Sequence, residues 1–465
     1  MSAPGSSAEV ARLAWPLAIG LLSFTLMGVV DTLLMGQVST SAQAGVAVAS
    51  TTIIVFRAFF RGLASGSQAL VSAAQGADNP DRLREAGSSA IWLALGYGSI
   101  CGVIVALAVA PLTQAFLSDP EVAQSAGTYL RITAFSVPLS VLSFGFLAGI
   151  QGIGDMRTHM WVSLTGNVVN AALSATLVFG WGPFEPMAEA GAAIATCAGS
   201  GVMAALFALR YRARIGPLVR PAREVVTSAL SIGLPAGITN VMVVASFVVM
   251  NLALAQAGSV EVAASQIVFQ IASMSFLPGA GIGEAGGVLV GRYLGAGQPA
   301  YAGRALSSAR RLAVAVMMVW GVLFATAGSS VAGLFSSDPA VVELASTLLL
   351  MAASFQVFDG VAMAHLCALR SAGDSRFTLM VSTFAAWAFQ VPGTLVLGLY
   401  FGWGAKGAWL GLTLQVLAEA VLTTPRVRRL SQGRLGRLDL LLGKERRAEQ
   451  AGQGPQLSEA AAPAN

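Results

Sequence analysis

Apolar stretches of roughly 20 to 30 residues recur along this chain, each long enough to cross a membrane as a helix. They lie near 13–36, 45–75, 88–114, 124–150, 159–182 and 188–211, then near 226–256, 261–291, 308–334, 343–370, 377–402 and 405–424. Of 465 residues, 55% are hydrophobic and 11% charged, whereas a soluble domain carries about 25% charged residues. A soluble fold of this length cannot hide that much apolar surface. The expected class is an all-α polytopic membrane protein of about twelve transmembrane helices. The run from Leu13 to Gly36 is too long for the core of a signal peptide and reads as a retained first helix.

The net charge is +5, and the basic residues gather in alternate loops. Arg82 and Arg84 follow the second span and Arg157 the fourth; Arg210, Arg212, Arg214, Arg220 and Arg223 follow the sixth. Arg304, Arg310 and Arg311 follow the eighth, and Arg376 the tenth. The intervening loops are neutral or acidic apart from Lys406. The positive-inside rule places both termini in the cytoplasm of a multi-pass plasma (inner) membrane protein. This charge pattern is one of topology, and no nucleic-acid partner is expected. Cys101, Cys197 and Cys367 fall in apolar segments and are odd in number, so they are expected as free thiols.

An internal repeat organises the spans. Pro16 of "AWPLAIG" and Pro235 of "GLPAGIT" stand 219 residues apart. So do Gly76 and Gly295, Asp119 and Asp338, and Asp155 and Asp374. Four anchors with one offset predict two six-helix lobes of parallel topology, related by an axis along the membrane normal. The expected boundaries are a cytoplasmic segment 1–12, an N-lobe 13–211, a linker 212–225, a C-lobe 226–424 and a basic, then disordered tail 425–465. This is transporter-like architecture, with its site in a cavity between or within the lobes.

Asp31 stands in the middle of "FTLMGVVDTLLMG". A charge there costs about 2.5–3.5 kcal/mol on insertion scales, so the acid must face the bundle interior or a wet cavity, where it can carry a proton. Helix cross-bracing through an arginine is the structural alternative. Arg57 and Arg61 share one face of the second span, with Asp31 and Glu284 as candidate partners. Subtracting the repeat offset from Glu284 gives Ser65, one turn from Arg61, which predicts an interlobe Arg61–Glu284 pair. Asp359 is an intramembrane acid of the second lobe. Asn167, Asn170, Ser174 and Thr176 line the fifth span, where such residues often bond between helices. Pro16 and Pro235 are the expected hinges. Two histidines, His159 and His365, and no Cys/His cluster argue against a metal site. "GIGD" (Gly152–Asp155) looks like an intramembrane aspartyl protease signature, but it recurs as "SAGD" and lacks a Tyr-Asp partner, so it reads as a repeated turn. No phosphate-cradling Gly-x-x-x-x-Gly-Lys run is present. No enzyme and no cofactor are expected, and an ion gradient is the expected energy source.

With these pieces in order, the chain resembles the multidrug and toxic compound extrusion (MATE) transporters from about Ala8 to Leu430. The resemblance rests on "WPLAIGLLSFTLMGVVDTLLMG", "VSAAQGADNPDRLREAG", "GIQGIGDMRTHMWVSLTGNVVNAAL", "GAAIAT", "VGRYLGAG" and "FDGVAMAHLCALRSAGDSR". "FFRGLASG" also looks like the DNA-damage-inducible (DinF-like) branch. The resemblance implies a V of two lobes that exports organic, cationic or amphipathic compounds in exchange for protons or sodium. It implies Asp31 as the N-lobe coupling residue, with Asn170, Ala192 and Thr196 in the same pocket, and Asp359 on a C-lobe acid that binds cation in another branch. Two positions depart from the pattern. Ser174 stands where many relatives carry a second Asp, and Val243 stands where a C-lobe Glu is expected. Fewer carboxylates favour proton over sodium. The expected partners are a small organic substrate and membrane lipid, and the expected state is a monomer. The alternatives are sodium-coupled efflux, a lipid or lipid-linked sugar flippase of the same superfamily, and a receptor or assembly protein with a transporter-derived fold.

Overall fold

The computed structural model describes residues 3–181 and 185–432, apart from the side chains of residues 24–32. Among the described residues every regular element is helical. The first six spans are Ser7–Gly36, Thr40–Gly76, Pro80–Phe116, the pair Pro120–Thr133 and Ser136–Gly152, Met156–Phe179 and Ala188–Arg214. The next six are Arg223–Ala257, Ser259–Gly295, Pro299–Ala332, Pro339–Ser371, Ser375–Tyr400 and Gly404–Ser431. The fourth is bent by 48° between its two helices.

Short polar signals start these helices. Ser6, Ser39, Asn79 and Asp155 each accept a hydrogen bond from a backbone N–H in the first turn of the helix that follows, supplying partners that the helix itself lacks. The repeated Asp-Pro at 119–120 and 338–339 does this in both lobes, with the proline in the first turn, where its missing N–H costs nothing.

Several helices outrun their apolar stretches. The twelfth continues to Ser431 rather than ending at 424, because Val427 and Leu430 bury in the C-lobe core and Arg426 Nε meets Asp374 Oδ2 at 2.6 Å. Residues 425–431, expected in the tail, are therefore helical, and residues 433–465 lie outside the described residues. The first helix starts at Ser7, inside the segment expected to precede it. The loop between the lobes shrinks to 215–222, because Arg212, Arg214 and Arg223 sit in helix ends.

The repeat offset also breaks. It holds as far as Asp155 and Asp374, but the two "FGWG" runs at 179–182 and 401–404 stand 222 apart. Wide π-turns at Ala386–Gln390 and Gly393–Tyr400 flank Pro392 in the eleventh helix. Proline removes one ladder bond, and π-turns take up extra residues.

The leading helix of each lobe also packs on the other lobe. Val10 and Ala14 of the first helix bury in the C-lobe core beside Ala285 and Leu289. Val225 and Ile232 of the seventh pack on Val71 and Ala73 of the N-lobe. At the seam, a Cβ on Gly76 would overlap the Arg292 carbonyl, and one on Gly295 would overlap the Ala73 carbonyl. Both residues of the first contact lie 219 positions from those of the second, so one contact is made twice across the pseudo-axis. Small residues allow such close backbone approach in membranes. The interlobe hydrogen bonds and packed clusters involve the first helix up to Leu21, the second from Ala58, the seventh up to Asn240 and the eighth from Leu277. All lie in the half that carries the basic loops. Among the described residues none lies toward Gly36 and Ala257, so the cleft between the lobes opens at that end.

Candidate functional site

Two polar centres stand within the lobes and a third lies where the lobes meet. In the N-lobe, Asn170 of the fifth helix is fully buried and donates its Nδ2 to Thr196 Oγ1 of the sixth at 3.4 Å. Its Oδ1 has no partner among the described residues, although buried polar atoms are almost always paired. Ser174, one turn along, is also fully buried and partnered. Asn167 donates to the backbone oxygen and Oγ of Ser23, fastening the fifth helix to the first. Ala192 lies one turn from Thr196 in an apolar cluster with Met35 of the first helix. Asn170, Ser174 and Thr196 thus form a polar cluster that Ala192 borders from an apolar side. The Asp31 side chain lies outside the described residues.

Arg57 donates to Ser136 Oγ at 3.3 Å, at the break of the fourth span. Arg61 reaches across the seam: its Nη2 stands 3.5 Å from Glu284 Oε2 of the eighth helix. Gln68 Nε2, from the same helix as Arg61, stands 3.5 Å from Glu284 Oε1. Pro16 and Pro235 lie inside continuous first and seventh helices, beside the seam residues Ala18 and Gly237.

In the C-lobe, Asp359 of the tenth helix is half-buried. Glu419 of the twelfth is buried, and its Oε1 is 3.5 Å from Gln415 Nε2. His365 Nδ1 pairs with Thr423 Oγ1 at 3.0 Å, as a histidine holding helices together would.

Comparison with known proteins decides the family. The MatE family model matches residues 16–176 and again 235–396, more than half of the chain. The chain belongs to the MatE family. The double match reproduces the repeat, one copy per lobe. The multidrug resistance protein NorM of Burkholderia vietnamiensis is 32% identical over 428 residues, covering 89% of this chain and 92% of that protein. The probable multidrug resistance protein NorM of Xanthomonas axonopodis pv. citri (strain 306) is 30% identical over 440 residues, covering 92% and 96%. Among solved structures, an outward-facing multidrug resistance MATE family transporter of the MOP superfamily superposes with a TM-score of 0.84 at 19% identity, covering 91% of this chain and 96% of that one. A MOP superfamily transporter from Pyrococcus furiosus gives 0.83 at 19% identity with the same coverage. These likenesses fix the MatE fold of two lobes. As a MatE member the chain is a membrane transporter and not an enzyme.

Sequence reasoning missed Glu419, Gln68 and Arg292. Glu419 carries a legible signal, an acid inside the apolar "LQVLAEAVL" of the last span. Gln68 and Arg292 look like ordinary polar residues near the inner end of a span, and their roles appear only once the lobes are docked.

Proposed function

We propose that this MatE protein exports bulky organic cations or amphipathic compounds in exchange for protons, by alternating access of its N-lobe (13–211) and C-lobe (226–424). The relatives' names as multidrug resistance proteins support the cargo class. The reading places the chain in the inner membrane with both termini cytoplasmic, so that the cleft faces outward.

The observation that carries the coupling ion is the orphaned Asn170 Oδ1. It needs a donor, which a carboxylate cannot supply and a carboxylic acid can. On this reading a proton from outside neutralises Asp31, the hydrogen bonds of Asn170 and Thr196 rearrange, and cargo leaves. The lobes then rock about Pro16 and Pro235, the proton departs inward, and the charged site accepts new cargo. An orphaned oxygen also suits a sodium ion, since hard cations take oxygen ligands, and this is the second reading. Nothing comparable favours a flippase: Arg57 and Arg61, its anion-binding candidates, are engaged with Ser136 and Glu284.

Ethidium efflux from vesicles in sodium-free medium, with and without a proton uncoupler, tests the proposal. Efflux that an uncoupler abolishes is the expected result. Efflux that requires added sodium and ignores the uncoupler supports the second reading and overturns the first.

A further inference from the structure

We propose that Glu284 is the carboxylate on which an organic cation docks at the floor of the cleft, and that Arg61 is the guanidinium the cation displaces. The inference rests on the reading of this chain as an exporter of organic cations.

The position of Glu284 comes first. Ser72 of the second helix and Gly291 of the eighth stand 219 residues apart and pack on one another, which puts their contact on the pseudo-axis. One and two turns toward the open end on the same faces come Gln68 and Ser65 of the second helix and Gly287 and Glu284 of the eighth. Arg61 follows one turn later. These residues therefore line the axis between two flanking seams, which run on to Ala58 and Asn240 on one side and to Leu277 on the other, and the exposure of Arg61 shows that solvent reaches the pair.

The contacts of Glu284 come second. Both of its carboxylate oxygens are occupied, one by Arg61 and the other by Gln68, and each contact is at 3.5 Å. Strong charge-assisted bonds are about 2.7–2.9 Å, so the carboxylate is held loosely. The Arg61 side chain is 49% exposed and that of Glu284 22%. Exposed pairs of this kind contribute little, so a competing cation has little to overcome. A displaced Arg61 keeps its water, whereas Glu284 exchanges one cation for another and is never left bare.

The walls above fit the rest of such a molecule. Ile54 lies two turns from Arg61 on the same helix face and is an exposed apolar side chain. A cationic head on Glu284 thus leaves an apolar body beside Ile54. Because Arg61 and Glu284 belong to different lobes, docking also releases one tie between the lobes.

Equilibrium binding of tetraphenylphosphonium to the purified full chain tests this without any gradient. Glu284→Gln should weaken binding roughly tenfold, the scale of one partly solvated ionic contact, and Glu284→Asp should recover part of it. Arg61→Gln should tighten binding severalfold, since it removes the competitor; a purely structural role for the pair would weaken it. Unchanged affinity in Glu284→Gln, or weaker binding in Arg61→Gln, overturns the inference alone. Wild-type protein that binds no lipophilic cation overturns the exporter reading together with it.

Discussion

Arg292 of the eighth helix donates to the backbone oxygen of Ile153 at 2.7 Å, fastening the C-lobe to the turn between the fourth and fifth spans. The guanidinium lies against Gly154, whose φ of +83° leaves no room for a side chain. Its repeat equivalent is Ala73, so the latch exists once, on the side of the basic loops. Replacing Arg292 with Ala removes a charged hydrogen bond to a part-buried carbonyl, at a cost of about 1.5–3 kcal/mol. The lobes of Arg292→Ala should therefore open more readily at that end. A cysteine at Ser72, in a background without Cys101, Cys197 and Cys367, should then be alkylated severalfold faster from the side of the basic loops. Equal rates in the two proteins would mean that the latch does not hold the lobes.

Asp31→Asn keeps the shape of the first-helix acid and removes its titratable proton. Uncoupler-sensitive ethidium efflux should fall to the level of vesicles without the protein. Proton-coupled efflux at the wild-type rate would remove Asp31 from the mechanism.

The Arg61–Glu284 pair predicts the outcome of a charge exchange. Arg61→Glu or Glu284→Arg alone places like charges where the lobes meet, and each should lower transport roughly fivefold, in keeping with a partly solvated contact. The double exchange should regain part of that loss. A double variant no better than the worse single would show that the two charges act independently.

Gly76→Val adds atoms against the Arg292 backbone carbonyl, which no side-chain rotation can relieve. Overpacking of this kind costs about 1–3 kcal/mol. The purified variant should melt at a lower temperature than wild type. Gly96→Val is the control, because a Cβ there meets nothing within 4 Å, and it should melt close to wild type. If both variants melt alike, the seam is softer than its geometry implies.

The repeat anchors were legible because each is a local signal: a helix-capping Asp-Pro, a turn glycine, a proline inside an apolar run. They located the lobes and paired Arg61 with the depth of Glu284. The offset misleads past Asp374, because π-turns around Pro392 change the residue count without changing the fold. The polar face of Asn170, Ser174 and Thr196 could be placed from the resemblance. That Asn170 Oδ1 lacks a donor among the described residues could not, because it depends on which groups the sixth helix presents. Glu419 went unread although its sequence signal matches that of Asp359.

The spans, their alternating loop charges, the two-fold repeat and the membrane depth of Asp31, Glu284 and Asp359 follow from the sequence by itself. Each depends on the cost of placing a given stretch in hydrocarbon, which is a property of that stretch alone. The bridging of the lobes by their leading helices, the closed seam at the end of the basic loops, the Arg292 latch and the loose grip on Glu284 were decided by tertiary structure. Each depends on how closely two backbones from distant parts of the chain approach, and that is set by matching small residues across an interface no single stretch contains.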